Sequence, residues 1–326
     1  MQAWLRIGVN IRIFKELAQL GVLQMSIEAV EHFKVPSGKE LDLKDYDPRW
    51  VPKWAKSMEE KEGKKAVKRQ AIDILEKNKQ KLASMQELLW ASGTYSMLII
   101  LQAMDAAGKD GVIGHVMAGV NPQGCQVFGF KTPSEEELNH DFLWRHEKVL
   151  PERGRIGIFN RSYYEETLIV KVRPEVLETE KLPPGPRDES FWRQRYDDIN
   201  AFEHHLVRNG TIVLKFFLNV SREQQRQRLL KRLEDPDKYW KFSYTDLSER
   251  EKWEQYMKAY QEVLNETSTK WAPWYIIPAD KKWVTWASAS EIITSQIENL
   301  ALKYPVLNDE QATVFKWAKA KLEKEH

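Results

Sequence analysis

Cysteine is almost missing from this chain of 326 residues: Cys125 is the single one, so no internal disulfide can form and stability must come from an ordinary core. An excess of charge of one sign is missing too. Fifty Lys and Arg stand against 48 Asp and Glu, a formal net charge of +2, which leaves no global field to hold a long polyanion. Any polyanion must meet a local patch, and no nucleic acid is expected as a partner. Long hydrophobic runs are also lacking. The best, residues 97–104 and 212–218, are the length of buried strands and fall well short of the roughly 18 residues of a membrane span, so no membrane partner is expected. The start of the chain has neither the cationic segment nor the small-residue cleavage site of a secretory signal, which predicts a cytoplasmic protein. The seven histidines offer no transition-metal set, since His204 and His205 are adjacent on a predicted helix and face apart. No serine lies in a G-x-S-x-G elbow.

What remains is a globular composition, 42% hydrophobic and 30% charged, which excludes disorder and low complexity. The length suits two units of roughly 150 residues, or one large α/β domain with appendages. Residues 1–33 read as an N-terminal appendage, with Met25 as an alternative start. Residues 34–95 read as an arm with little regular structure around Trp50 and Trp54, followed by an amphipathic helix over 65–92 that Gly93 ends. From 96 to 304 apolar runs alternate with helical patterns, the sign of βαβ units and a parallel sheet. Strands are predicted at 96–103, 125–130, 155–159, 211–218 and 274–278. Helices are predicted at 109–120, 134–149, 163–172 and 188–208, and two more, at 221–234 and 246–268, form a hairpin too long for a crossover and read as a lid. Residues 305–326 read as a charged C-terminal helix.

The first strand runs into Asp105-Ala106-Ala107-Gly108-Lys109-Asp110-Gly111 and then into a helix. Strand, glycine-bearing turn, lysine and helix form the context in which backbone N–H groups cradle phosphate oxygens. The match to G-x-x-x-x-G-K-S/T is imperfect, because Ala103 takes the first glycine position and Asp110 the place of the Ser or Thr. An ordinary βα turn with an exposed lysine is the competing reading. The strand at 155–159 ends in Asn160-Arg161-Ser162-Tyr163-Tyr164-Glu165-Glu166, where phosphate-loop enzymes carry an acid that organises magnesium. Asn160 is neutral, which moves the metal to Asp105, a residue that could equally cap the helix. Arg161 is an anion binder or a partner for a surface carboxylate, and Glu165 and Glu166 could be exposed acids at a helix start. In the predicted lid, Arg222 with Arg226, and Arg228 with Lys231 and Arg232, stack at spacings of three or four. They repel unless an anion lies between them; a solvated helix balanced by Glu223, Glu234 and Asp235 is the alternative.

Four ordered stretches together carry a resemblance: A-M-D-A-A-G-K-D-G at 103–111, P-S-E-E-E-L-N-H-D-F-L-W-R at 133–145, F-N-R-S-Y-Y-E at 159–165 and W-A-P-W-Y-I-I-P-A-D at 271–280. From about Lys34 to Leu302 the chain resembles the polyphosphate kinase 2 family. The resemblance implies a three-layer α/β/α P-loop kinase fold, similar to thymidylate kinase, with a five-stranded parallel sheet and a helical lid at about 221–268. It also implies transfer of phosphate from inorganic polyphosphate to a nucleotide, with Mg2+, or Mn2+ in its place, and a homodimeric or homotetrameric assembly. By position, Asp105 resembles the magnesium-coordinating aspartate that helps activate the acceptor, Lys109 the loop lysine on the phosphates and Arg161 the arginine after the second strand. Ala106, Ala107, Gly108, Asp110, Gly111, Asn160, Tyr164, Glu165, Lys131 and Arg145 are expected to contact nucleotide or polyphosphate, with Arg222, Arg226, Arg228, Lys231 and Arg232 reaching from the lid. Asn160, where many members have Asp, and Glu165, where they have Asn, resemble the class III subgroup that phosphorylates AMP as well as ADP. On that basis Glu165 is expected to accept from the adenine amino group. An ATP-dependent nucleoside monophosphate kinase and a non-catalytic nucleotide or polyphosphate sensor are the rival readings.

Overall fold

The computed structural model describes residues 31–325; the Met25 start and nearly all of the expected appendage lie outside them. Five parallel strands form one sheet in the order β2-β3-β1-β4-β5: β1 Ser96–Gln102, β2 Cys125–Gly129, β3 Ile156–Asn160, β4 Thr211–Asn219 and β5 Trp274–Pro278. Each is where the apolar runs predict it. Every residue of the central β1 is buried, as a strand covered on both faces requires, and this is why its sequence reads as a continuous run rather than an alternation.

The helices form two layers. The crossover from β1 to β2 runs toward one edge and those from β3 to β4 and β4 to β5 toward the other, so right-handed connections put their helices on opposite faces. One layer holds α2 (Lys64–Ser92), α3 (Lys109–Val116) and α8 (Lys282–Glu298), which pack together, with α1 (Lys53–Glu62) against α2. The other holds α4 (Glu189–Arg208) and α7 (Trp253–Thr267). The segment expected as a lid opens with α5 (Arg222–Glu234), a 3-10 turn Pro236–Lys241 and α6 (Thr245–Glu251), while α9 (Asp309–Leu322) ends the described chain without a buried residue. Helix α2 ends at Gly93, whose left-handed φ of 56° lets its N–H cap Leu89 and Trp90 carbonyls. Among the described residues no helix is long and apolar enough to cross a membrane.

Four segments differ from expectation. The arm is not irregular throughout, since α1 begins directly after Pro52, a residue compatible with a helix entry but not an interior. The helix expected at 134–149 is two single turns, Glu135–Leu138 and Trp144–Glu147, because Asp141 accepts from Leu143 N–H and restarts the chain locally. The segment at 163–172 opens as 3-10 and breaks at Leu168, whose φ and ψ are −111° and −84°. The second half of the expected lid belongs to the core: α7 buries Trp253, Tyr256, Ala259, Tyr260, Val263 and Leu264, so only residues 222–251 stand over the sheet end.

Candidate active site

Register places the site. Leu101 pairs with Asn160, so the loop after β1 and the residues after β3 emerge side by side where the strand order reverses, the usual crevice of such sheets. The turn reverses through Ala106 at φ 60° and Gly108 at φ 115°. Arg161 across the crevice is also left-handed, at φ 68°, a conformation that costs a side chain-bearing residue roughly 1–2 kcal/mol. Two hydrogen bonds hold it there: its N–H donates to Leu101 O at 3.1 Å and its guanidinium to Asp105 Oδ1 at 2.9 Å. Strain held at one crevice by specific contacts is typical of functional sites.

The loop is braced from the lid. Gln225 donates to Asp105 O at 3.0 Å. Arg228 donates to the carbonyls of Ala106 and Ala107 at 3.0 and 2.6 Å and, through its other nitrogen, to those of Ala279 and Asp280 at 2.5 and 3.2 Å. Lys109 donates to Ala103 O at 2.9 Å, closing the turn; burial lowers its pKa, the nearby Arg161 lowers it further, and Asp105, Glu165 and Asp110 oppose. Gly108, not Asp105, is the N-cap of α3, so the capping role open for Asp105 does not apply. The turn is braced on both sides, and Lys109 is half-buried and bonded rather than exposed. Asn160 donates to Asp110 Oδ1 at 2.9 Å.

Glu165 sits in the same constellation. The buried Gln102, with its amide turned to satisfy both neighbours, donates to Glu165 Oε1 at 2.8 Å, and Glu165 is the main influence raising the pKa of Arg161. It therefore stands beside Arg161 in the crevice. Arg161 and Glu165 open into a cavity of about 620 Å³ whose walls come from residues 130–145 and 165–183, with Thr245, Glu249, Tyr256 and Tyr260 closing one side. Lys131 and Arg145 line it: Arg145, buried, donates to Lys131 O at 2.9 Å and lies 3.5 Å from Glu166.

Other expected residues stand elsewhere. Tyr164 does not face the cavity. It is fully buried, donating to Glu203 Oε1 at 2.8 Å and accepting from Lys215 at 2.9 Å, because it follows Tyr163 on the inner side of a 3-10 turn pressed against β4 and α4. Arg226 is exposed and paired with Glu223 at 2.7 and 2.9 Å, and Arg232 bonds Asp246 and Lys241 O, both at 3.1 Å. Arg222 and Lys231 are exposed. Sequence reasoning missed Lys282 at the start of α8, whose pKa is lowered by burial and then by Arg228, Lys238, Lys231 and Lys241. Of these cations Arg228 grips the loop itself and Lys238 pairs with Asp235. Also missed were Gln225, Arg173, Glu180 and Arg195. The doublet Lys281-Lys282 after the P-A-D stretch was the one signal available for the first of these.

Asp105 is the residue able to hold a divalent cation. One carboxylate oxygen takes Arg161 and the other has no protein hydrogen bond among the described residues, and no group of three ligating side chains is found among them. A single carboxylate completed by substrate oxygens suits Mg2+, which keeps few protein ligands at phosphate sites.

The profile of the family described as Polyphosphate kinase 2 matches residues 64–304. The chain is 48% identical over 276 residues to the ADP-polyphosphate phosphotransferase of Rhodopseudomonas palustris, covering 84% of this chain and 92% of the other. It is 41% identical over 276 residues to the AMP/ADP-polyphosphate phosphotransferase of Meiothermus ruber, covering 85% and 96%. The crystal structure of polyphosphate kinase 2 from Arthrobacter aurescens superimposes with a TM-score of 0.76 at 38% identity, over 88% of this chain and 96% of that one.

Proposed function

The chain belongs to the polyphosphate kinase 2 family, and from that premise we propose that it transfers the terminal phosphoryl group of inorganic polyphosphate to AMP and ADP, giving ADP and ATP. The observation that carries this reading is that the loop after β1 meets both an enclosed cavity and a cationic helix that grips its carbonyls. The 620 Å³ cavity is sized and walled for a nucleotide. On α5, which grips the loop through Arg228, and on the segments beside it lie Lys231, Lys241 and Lys282, cations suited to a long chain of phosphates, while Lys238 is paired with Asp235.

The reaction asks mainly for positioning and charge stabilisation, since the loose transition state spreads charge over the equatorial oxygens. Arg161 and Lys109 supply cationic charge at the crevice, and each is already held by a protein partner that phosphate oxygens can replace. Arg228 and Gln225 hold the carbonyls of Asp105, Ala106 and Ala107 and so fix the shape of the loop. Mg2+ held by Asp105, with Mn2+ as a substitute, would screen the charge of donor and acceptor. The acceptor oxygen is already anionic, so no strong base is required. Residues 222–251 would exclude water on closing. The reading includes a cytoplasmic location and a homodimeric or homotetrameric assembly; exposed Val314, Phe315, Trp317 and Leu322 on α9 support self-association of either kind, and sedimentation velocity checks it.

The test is incubation of the purified protein with Mg2+, long-chain polyphosphate and either AMP or ADP, with chromatography of the nucleotides. ADP from AMP and ATP from ADP is the expected result. ATP from ADP alone removes the dual acceptor range, and transfer only from ATP removes the donor. Lys109→Ala should lower turnover by on the order of a thousandfold with the fold retained; near-normal turnover contradicts its role.

A further inference from the structure

The cavity is walled by two segments far apart in sequence, and one buried carboxyl joins them. Glu166, 5% exposed, sits on its floor beside Glu165. On one side Arg145 lies 3.5 Å from Glu166 Oε1, 3.8 Å from Glu137, and bonds Lys131 O, which ties the floor to the 131–145 wall. On the other side Arg195 bonds Glu166 O at 3.1 Å and Oε2 at 3.4 Å and pairs with Glu180, which ties the floor to the 173–183 wall. Arg195 is 4% exposed and Arg145 8%.

This arrangement leaves an imbalance. Glu180 Oε1 is shut off from solvent and has no hydrogen-bond donor. Glu166 lies next to it, because the two terminal nitrogens of Arg195 reach one carboxylate each and so hold the two acids on a single guanidinium. Two carboxylates cannot bond unless one carries a proton, and an orphaned buried acceptor costs about 1–3 kcal/mol.

From this geometry we infer that Glu166 is a positioning residue for the acceptor nucleotide: its carboxyl carries a proton donated to Glu180, and the bonded pair, flanked by Arg145 and Arg195, holds the two cavity walls together. The electrostatics agree. Burial and then Glu180 push the Glu166 pKa up to about 7, against the opposing pull of Arg195 and Arg145. Loss of the proton to solvent turns the bond into a contact of like charges and loosens the 173–183 wall. Since the folded-state pKa is raised, the bond is intact below about 7 and is lost as pH rises through that value.

The inference rests on the cavity being the acceptor's, and its test separates the two. Affinities for AMP and for polyphosphate are measured by calorimetry from about pH 6 to about pH 8.5 for the parent, Glu166→Gln and Glu166→Ala. Gln donates to Glu180 at every pH and does not titrate. The expected result is a nucleotide Kd that rises several-fold with pH in the parent, beyond the change in Glu166→Gln; because AMP phosphate itself titrates near about 6, that difference is the readout. Glu166→Ala should weaken AMP several-fold at all pH values and leave polyphosphate binding unmoved. A Glu166→Gln profile parallel to the parent's overturns the inference. Difference infrared spectroscopy decides it without ligand, and without the Ala variant should that fail to fold: the parent must show a protonated-carboxyl band lost on raising the pH and absent from Glu166→Gln. No such band sinks the shared proton, whereas a band with no nucleotide binding sinks the reading of the cavity.

Discussion

Asn160 donates from Nδ2 to Oδ1 of Asp110 at 2.9 Å, so two of the residues that depart from the usual phosphate-loop pattern are partners. The acid usually found at the end of the strand is here displaced onto the first turn of α3, and the neutral amide faces it. Asn160 is therefore engaged at the loop, its amide spent on Asp110.

That pairing makes a prediction. Asn160→Asp sets two carboxylates in contact and should destabilise the protein by about 0.5–1 kcal/mol, a modest figure because both side chains reach solvent. The exchange Asn160→Asp with Asp110→Asn restores one donor and one acceptor and should recover that loss. Urea denaturation of the four proteins measures the coupling; strict additivity would show that the contact does nothing.

Arg228 and Arg226 lie two residues apart on α5 and predict opposite outcomes. Arg228→Ala strips four carbonyls of a charged donor and should cost about 2–3 kcal/mol while loosening the loop that Lys109 closes, so turnover and stability fall together. Arg226→Ala loses an exposed pair with Glu223 and should leave stability within about 0.5 kcal/mol. Thermal melts and steady-state rates on both variants check this; equal effects would deny the brace.

Lys215, in the middle of β4, is wholly buried and donates to Glu203 Oε2 at 2.6 Å, Tyr164 Oη at 2.9 Å and Thr267 O at 2.7 Å. Every ammonium proton is used. Lys215→Met leaves Glu203 charged without its partner and should cost about 3–5 kcal/mol, whereas adding Glu203→Leu should regain part of it. Chemical denaturation gives the three values, and a double variant less stable than Lys215→Met would contradict the pairing.

His146 is buried among Phe130, Phe159 and Tyr163 with Nδ1 on Phe142 O at 3.1 Å. Burial, and secondarily Arg145, hold its pKa down to about 3 from an ordinary value of 6.5. A depressed histidine contributes stability that is complete above the unfolded value and is lost as pH falls from about 6.5 toward about 3. The acid limb of the stability profile should therefore flatten in His146→Phe, after allowance for the lost hydrogen bond. An unchanged limb would mean that His146 protonates freely.

Much of this was legible in one dimension. The five strands announced themselves because a parallel sheet buried on both faces demands unbroken apolar runs, and Gly93 marked the end of α2 because a left-handed cap favours glycine. The loop from Asp105 to Gly111 stood out for a similar reason, since strand, turn and helix are contiguous in the chain. The cations and tyrosines of the site were less legible. Arg228 and Arg226 share a spacing pattern, yet one grips carbonyls of the loop more than a hundred residues away and the other pairs with a neighbour three residues back. Tyr164 lies between site residues and still turns into the core.

The sequence alone thus determined the elements, their order and the loop chemistry, all of which follow from local periodicity, turn stereochemistry and short-range motifs. Tertiary structure decided which charges are spent and which are available. Only the folded sheet brings Lys282 beside the lid cations, closes Lys215 upon Glu203, and sets Glu166 between two arginines and a second carboxyl. Those pairings depend on distances between segments that no pattern along the chain encodes, and they decide the electrostatics on which binding and transfer depend.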